Sequence, residues 1–395
     1  MENSVLMILE GEFLTDERVR KEALTLINRN INVKIACFVT NLDSEKGVFN
    51  GVEIYRIKIP RLIYKTGPVS VGIPVYSYYC YRHLKRILRN EQVDILHLHD
   101  LPLLRLAIYL SRNYNKKLVV DLHENRPEIM KLYRYVNKFP GKIVISIRRW
   151  SRYQKKYLNK IDNLILVTPE AESYYREMKY VNEKCKVAVI PNYPSLKYLN
   201  SISIKKEIIE KYQDKFSVIY LGDTSLRRGT MDLLKAAESL KELSNIKFII
   251  LGTSREHDIL KQFVYKNKLD NVELLGYINF ELALRYIAAS SIGVSPLKRN
   301  IHHDTTYAAK IFNYMYFSKP VIVSNCTAQS NIVNKYKLGL TFKADDYKEL
   351  AEKILQLKDD SNKYQEFSRN AKKYVTETLN WEKIEPNLIS VYDFK

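Results

Sequence analysis

Ser295-Pro-Leu-Lys-Arg-Asn-Ile-His-His-Asp-Thr-Thr-Tyr-Ala-Ala-Lys-Ile-Phe-Asn-Tyr-Met-Tyr-Phe-Ser-Lys-Pro-Val-Ile-Val-Ser-Asn325 is the stretch that decides the fold. Gly293 to Pro296 read as the end of a strand, and the polar residues up to Asp304 as a loop. Thr305-Thr306-Tyr307 then open a helix that stops before Lys319-Pro320, and the next strand runs near 320 to 323. Strand, loop, helix and strand in that order make a βαβ unit. On the helix Thr306, Lys310 and Asn313 fall at i, i+4 and i+7 and share one face, while Ile311, Phe312 and Met315 fall on the core side. The unpaired amides and dipole of such a helix start suit a diphosphate, with Lys310 reaching a phosphate and Asn313 a sugar hydroxyl.

The same alternation extends in both directions. Upstream, strands are expected near 4 to 9, 32 to 39, 52 to 58, 93 to 98, 117 to 122, 163 to 167 and 186 to 190, with helices between most of them. After Pro191-Asn192-Tyr193-Pro194 the pattern pauses, then restarts near 216 to 221, 246 to 251, 272 to 275 and 292 to 295. The expected architecture is α/β: two doubly wound domains, 1–195 and 196–375, facing across a cleft. A helical tail, 376–395, carries Trp381, Ile384, Leu388 and Tyr392 as a stripe that packs back on the first domain.

Open α/β sheets collect ligands beyond the carboxyl ends of their strands. Those positions here hold Glu10-Gly11-Glu12, His99-Asp100, His123-Glu124-Asn125-Arg126, Gly222-Asp223-Thr224 and the run Lys298 to Asp304 with His302 and His303. Four of the 7 histidines therefore sit where ligands gather.

Composition limits the class. The 395 residues are 46% apolar and 27% charged, as in globular proteins, and 12 Gly and 12 Pro are too few for a collagenous or low-complexity chain. No apolar run approaches the roughly 18 residues of a membrane span, and Met1-Glu2-Asn3-Ser4 lacks the basic start of a signal peptide, so a cytoplasmic protein is expected. Cys37, Cys80, Cys185 and Cys326 lie far apart, against a disulfide framework or zinc site. A net charge of +20 implies an anionic partner. Between Ile129 and Lys160 lie Lys131, Arg134, Lys138, Lys142, Arg148, Arg149, Arg152, Lys155, Lys156 and Lys160, and no acidic residue. From Ile143 to Ile161 the apolar residues recur near helical spacing, and Trp150, Tyr153 and Tyr157 are interleaved with the charges. Such a helix suits an anionic membrane surface, with Arg148, Arg149, Arg152, Lys155 and Lys156 as its docking face. The tyrosine- and arginine-rich Pro60 to Asn90 is a second part of that surface.

Tyr307-Ala-Ala-Lys-Ile-Phe-Asn-Tyr-Met-Tyr-Phe-Ser-Lys-Pro-Val-Ile-Val-Ser324 resembles the donor-binding motif of the GT-B glycosyltransferases of family 4, the large retaining family. Asp16-Glu-Arg-Val-Arg-Lys-Glu-Ala23 resembles its first helix, Asp121-Leu-His-Glu124 its histidine-bearing strand end, and Ile190-Pro-Asn192 its interdomain crossing. The resemblance implies a nucleoside-diphosphate sugar as donor and a lipid-linked or oligosaccharide acceptor, as in surface polysaccharide assembly at the inner membrane face, with neither cofactor nor metal. It implies that Arg228, Lys310 and the helix start at Thr305, Thr306 and Tyr307 stabilise the departing diphosphate, and that His123 touches the donor sugar. Asp100 and Glu124 then orient His123 or the acceptor, and Glu10 and Gly11 line the acceptor side. Two departures stand out. The family's paired glutamates are replaced by Thr305 and Asn313, with Asp304 adjacent, and its Gly-Arg and Lys-Gly phosphate grip becomes Gly222-Asp223 and Arg228-Gly229, which shifts part of the grip to Arg227 or Lys310. A nucleotide-sugar 2-epimerase shares this architecture and is the alternative enzyme. A non-enzymatic nucleic-acid binder would explain the charge alone, but no nucleic-acid module is present, and no such partner is expected.

Overall fold

A computed structural model describes residues 3–41, 45–204 and 206–392. The Met1-Glu2 start and the last three residues of the tail lie outside them. Two compact units result: one comprises Met1–Pro191 with Ile384–Lys395, the other Asn192–Lys383. The expected changeovers, after 195 and before 376, are displaced to 191 and 384. The helix Ser361–Glu377 is completed within the second unit, and the tail helix, Trp381–Tyr392, changes unit inside itself.

The first unit holds β1 (Ser4–Leu9), β2 (Asn32–Val39), β3 (Lys46–Phe49), β4 (Val52–Lys58), β5 (Ile95–His99), β6 (Lys117–Leu122), β7 (Asn163–Leu166) and β8 (Lys186–Val189). They form one sheet in the order β3-β4-β2-β1-β5-β6-β7-β8, parallel except for β3. Every residue of β1 is buried, as expected of a central parallel strand covered on both faces. The second unit holds β9 (Phe216–Leu221), β10 (Ile246–Leu251), β11 (Val272–Gly276), β12 (Ile292–Ser295), β13 (Val321–Ser324) and β14 (Gly339–Phe342), in the parallel order β11-β10-β9-β12-β13-β14. Both units are Rossmann-like.

Two strands escape the sequence reading. β3 is a half-exposed edge strand that returns into β4 through Asn50-Gly51, both at positive φ, so its signal lay in the Asn-Gly turn and not in hydrophobicity. β14 is four residues long and opens on glycine.

The helix expected from Thr305 starts later. Ile301–Asp304 form one short helical turn, and the next helix is Lys310–Tyr316. The hydroxyls of Thr305 and Thr306 donate back to the carbonyls of Ile301 and His302, each at 2.8 Å, and so close the first turn instead of opening the second. Thr306 therefore does not share a helix face with Lys310 and Asn313. The basic helix is also shorter than read: it spans Ile147–Leu158, capped by Ser146, with a separate turn at Gly141–Val144.

Candidate active site

In the second unit β9 and β12 are neighbours, with β10 and β11 on one side and β13 and β14 on the other. Their carboxyl ends form the crevice at which such a sheet takes ligands. Gly222, directly after β9, has φ +126°, and a Cβ there would lie 3.5 Å from Lys310 Nζ. Lys310 Nζ stands 3.5 Å from the centre of the Tyr220 ring. Burial, then repulsion from Arg228, holds Lys310 well below the ordinary lysine range, offset in part by Asp223. Asp223 Oδ2 accepts from Arg227 Nη2 at 2.7 Å and lies 3.9 Å from Arg228 Nε. The acidic residue at the family's arginine position thus organises two arginines. Gly229 completes the crevice: its φ is +74°, and a Cβ would fall 1.6 Å from the Pro296 carbonyl oxygen, so only glycine lets this loop touch the end of β12.

The other donor-side candidates are more committed. Asp304 Oδ1 accepts from the backbone N–H of Thr327 at 2.8 Å and from its hydroxyl at 3.2 Å, which ties it to the start of the helix Thr327–Tyr336. Asn313 is only 8% exposed. Tyr307 stacks with Tyr193, ring centres 6.5 Å apart, and meets the edge of Phe312. His302 and His303 are buried, and burial pushes them down to about 3 and about 4. Burial thus favours the neutral form of both rings.

In the first unit the equivalent crevice lies at the ends of β1 and β5. Side chains two apart on a strand share a face, and His99 is in register with Asp121, so His97, His99, Asp121 and His123 gather on one face. His123 Nε2 is 2.9 Å from Asp121 Oδ2 and 3.2 Å from His99 Nδ1. Asp100, in the left-handed region at φ 67°, accepts from the His123 backbone N–H at 3.2 Å. Burial opposes a charge on His123, but the carboxylates of Asp121 and Asp100 outweigh it and raise its pKa to about 10. Beneath it Arg18 grips Asp121 through Nε and Nη2, at 3.1 and 3.0 Å, and pairs with Glu22 at 3.1 Å. Asp121 is buried, yet Arg18 and His123 hold it well below the carboxylate range. From the tail, Tyr392 places its hydroxyl 2.7 Å from His97 Nδ1. None of Arg18, Glu22, His97 and Tyr392 was read from the sequence as a site residue: Arg18 and Glu22 stood only within the first-helix motif and Tyr392 only in the tail stripe, although the spacing of two from His97 to His99 was there to be read.

Glu22, His97, His99 and Asp121 each bring one donor atom within 4.8 Å of the others, the donor set of a transition-metal site. Arg18 already pairs with both of its carboxylates, and a divalent cation would have to displace that guanidinium. Arg18→Ala is therefore expected to cost about 3–5 kcal/mol by stranding buried Asp121, read as a lowered unfolding midpoint. A variant as stable as the parent would show that the pair is not what holds this cluster.

Glu10 and Gly11 follow β1. Burial, against the pull of Arg126, raises Glu10 to about 7, and the Tyr76 hydroxyl lies beside its carboxyl. Gly11 has φ +141° with open space where a Cβ would be. Glu124 pairs with Arg126 at 3.3 Å, and burial followed by Asp100 raises its pKa.

The basic helix corrects one expectation. Trp150 and Tyr153 point into the core, the Trp150 indole donating to the Pro68 carbonyl at 2.8 Å. Arg148, Arg149, Arg152, Lys155 and Lys156 are all exposed. The aromatic stripe thus anchors the helix, and the apolar residues left beside the charges belong to flanking segments. Among the described residues no helix is long and apolar enough to cross a membrane.

Sequence models of two glycosyltransferase groups match the chain: Glycosyltransferase Family 4 over residues 18–193 and Glycosyl transferases group 1 over 201–374. The chain belongs to the GT-B glycosyltransferases of this family 4, group 1 type. An uncharacterized glycosyltransferase of Methanocaldococcus jannaschii, MJ1178, is 23% identical over 320 residues, 80% of each chain. Alignments with two more uncharacterized glycosyltransferases of that organism span only 57% and 50% of their lengths. Among solved structures, sucrose-phosphate synthase from Thermosynechococcus elongatus superposes with a TM-score of 0.79 at 17% identity, covering 99% of this chain and 98% of that one. Anabaena Alr3699/HepE, solved with UDP-glucose, does so with a TM-score of 0.71 at 15% identity, covering 98% of both. At these identities the superpositions speak for the fold.

Proposed function

We propose that the protein transfers a sugar, with retention, from a nucleoside-diphosphate sugar to a lipid-linked or surface-polysaccharide acceptor at a membrane face. The observation that carries this reading is the cationic crevice of the second unit, where Lys310, Arg227 and Arg228 surround the single carboxylate of Asp223 beside Gly222. These cations, with Lys310 favoured to take up its proton as an anion arrives, suit a departing diphosphate, whose developing negative charge is the main thing such a transfer must stabilise. A neighbour of the same fold solved with UDP-glucose supports the donor class. On the first unit, protonated His123 can donate a hydrogen bond to the transferred sugar, and Glu10, with a pKa near 7, can exchange a proton with an acceptor hydroxyl.

Thermal shift and hydrolysis over a panel of nucleotide sugars test the donor. A bound donor raises the melting temperature by mass action, and a panel without any shift would remove the reading. Turnover is expected to survive excess EDTA; strict dependence on added manganese or magnesium would contradict it. The half-buried carboxyls Glu10 and Glu124, both with raised pKa, favour one second reading, a nucleotide-sugar 2-epimerase. Incubation without acceptor separates the two, because an epimerase returns the epimeric nucleotide sugar.

The exposed Arg148, Arg149, Arg152, Lys155 and Lys156 support attachment to an anionic membrane. The protein is expected to sediment with anionic liposomes at low salt, to leave them as salt shortens the screening length below roughly 10 Å, and to ignore neutral ones. Changing all five to Gln should abolish sedimentation while sparing donor hydrolysis. Retained sedimentation, or preference for RNA over lipid at equal salt, would end the membrane reading.

A further inference from the structure

Two stretches without a single acidic residue, 60–90 and 129–160, meet in the first unit although they are far apart in sequence. Between them runs a groove of about 260 Å³ whose walls include Pro68, Val71, Ile73, Ile143 and Val144, with Ser146 and Arg149 as its polar members. The Arg149 guanidinium lies over Gly72, where a Cβ would come within 3.5 Å of Nη1. Among the described residues it makes no ion pair or hydrogen bond; only the Arg149 backbone N–H is engaged, by the Ser146 hydroxyl. In the groove wall Ile143 is 76% and Val144 53% exposed.

An unpaired guanidinium in an apolar groove whose walls include the exposed Ile73, Ile143 and Val144 matches neither water nor a sugar. It matches an amphiphile: hydrocarbon for the walls and an anion for the fork of the arginine. The volume is below that of a drug-sized ligand site and suits a short length of one chain. The chain also links the groove to the candidate site. The helix Val75–Asn90 begins two residues after Ile73, and its first turn carries Tyr76, whose hydroxyl lies beside Glu10.

We propose that this groove binds a lipid phosphate, the anchor of the acceptor, with its chain against Ile73, Ile143 and Val144 and its phosphate on Arg149. The placement rests on the lipid-linked acceptor proposed above. It favours the acceptor over bulk bilayer lipid because the helix that follows Ile73 directly carries Tyr76, whose hydroxyl lies beside Glu10 on the candidate acceptor side.

Calorimetric titration with farnesyl phosphate, farnesol and inorganic phosphate tests it. Farnesyl phosphate is expected to bind saturably, and the other two at least roughly tenfold more weakly, since each keeps only half of the contacts. Arg149→Gln should weaken farnesyl phosphate roughly tenfold or more, and Val144→Asp should remove measurable binding; both positions are exposed, so both variants should fold. Nucleotide-sugar binding by the same variants should be unchanged. Equal binding of phosphate alone, or an unaffected Arg149→Gln, overturns the proposal. So does binding to phosphatidylglycerol vesicles that Arg149→Gln abolishes but farnesyl phosphate does not inhibit, for the groove would then serve the bilayer. Loss of nucleotide-sugar binding by the parent would instead refute the transferase reading and leave the lipid titration to stand alone.

Discussion

Lys310→Ala is expected to reduce turnover by about a hundredfold or more and to weaken binding of the nucleoside diphosphate, the scale of removing one preorganised charge from a site of developing negative charge. The ammonium is fixed over Tyr220, beside the one position where glycine opens the floor of the crevice. Its charged form is disfavoured in the free protein by burial and by Arg228. An arriving diphosphate reverses that bias, so binding should take up protons over the pH range between the free and bound pKa values of Lys310. Titrations in buffers of different ionisation heat read this uptake, which Lys310→Ala should lack. Arg228→Ala should also lose about a hundredfold in turnover, because one phosphate-facing cation is removed and Asp223 is left with one fewer cation to balance it. Full activity in both variants would eliminate the phosphate site.

His123→Ala is expected to lower transfer by about a hundredfold or more while leaving affinity for the free nucleoside diphosphate nearly intact, since the phosphate-binding cations belong to the other unit. The network beneath the histidine adds a stability effect. His123 is raised in the folded state from 6.5 to about 10, so its contribution to stability is fully present below pH about 6.5 and fades as pH rises through about 10. The alanine variant should therefore melt lower than the parent at pH 6, with the gap closing toward pH 10. His123→Gln, which can still donate to Asp121, should recover part of the stability without recovering transfer. If nucleotide affinity and transfer fell together, or neither changed, His123 would be a structural residue.

Much of the fold was legible because it rests on short-range patterns. Apolar β-branched runs marked twelve strands to within about two residues, and the break at Pro191-Asn192-Tyr193-Pro194 fell beside the observed change of unit. The positions after each strand were legible for the same reason, since strand ends fix where polar residues emerge. The family resemblance added roles that no periodicity contains.

The sequence by itself determined the two Rossmann-like units, the polar strand ends and the acid-free basic stretches, all of which depend on residue type and spacing along the chain. Only the tertiary structure decided what each side chain does there. Whether Thr305 opens a helix or closes one depends on carbonyls its hydroxyl can reach, and it reached back. Whether Trp150 and Tyr153 face lipid or core depends on what packs above the helix, and Pro68, eighty-two residues away, supplies the cover. Arg18 and Glu22 from one helix, His97 from a strand and Tyr392 from the tail converge beneath His123 from three separate segments. Charge interactions of that kind act through space across a buried, low-dielectric interior, and linear spacing carries no record of them.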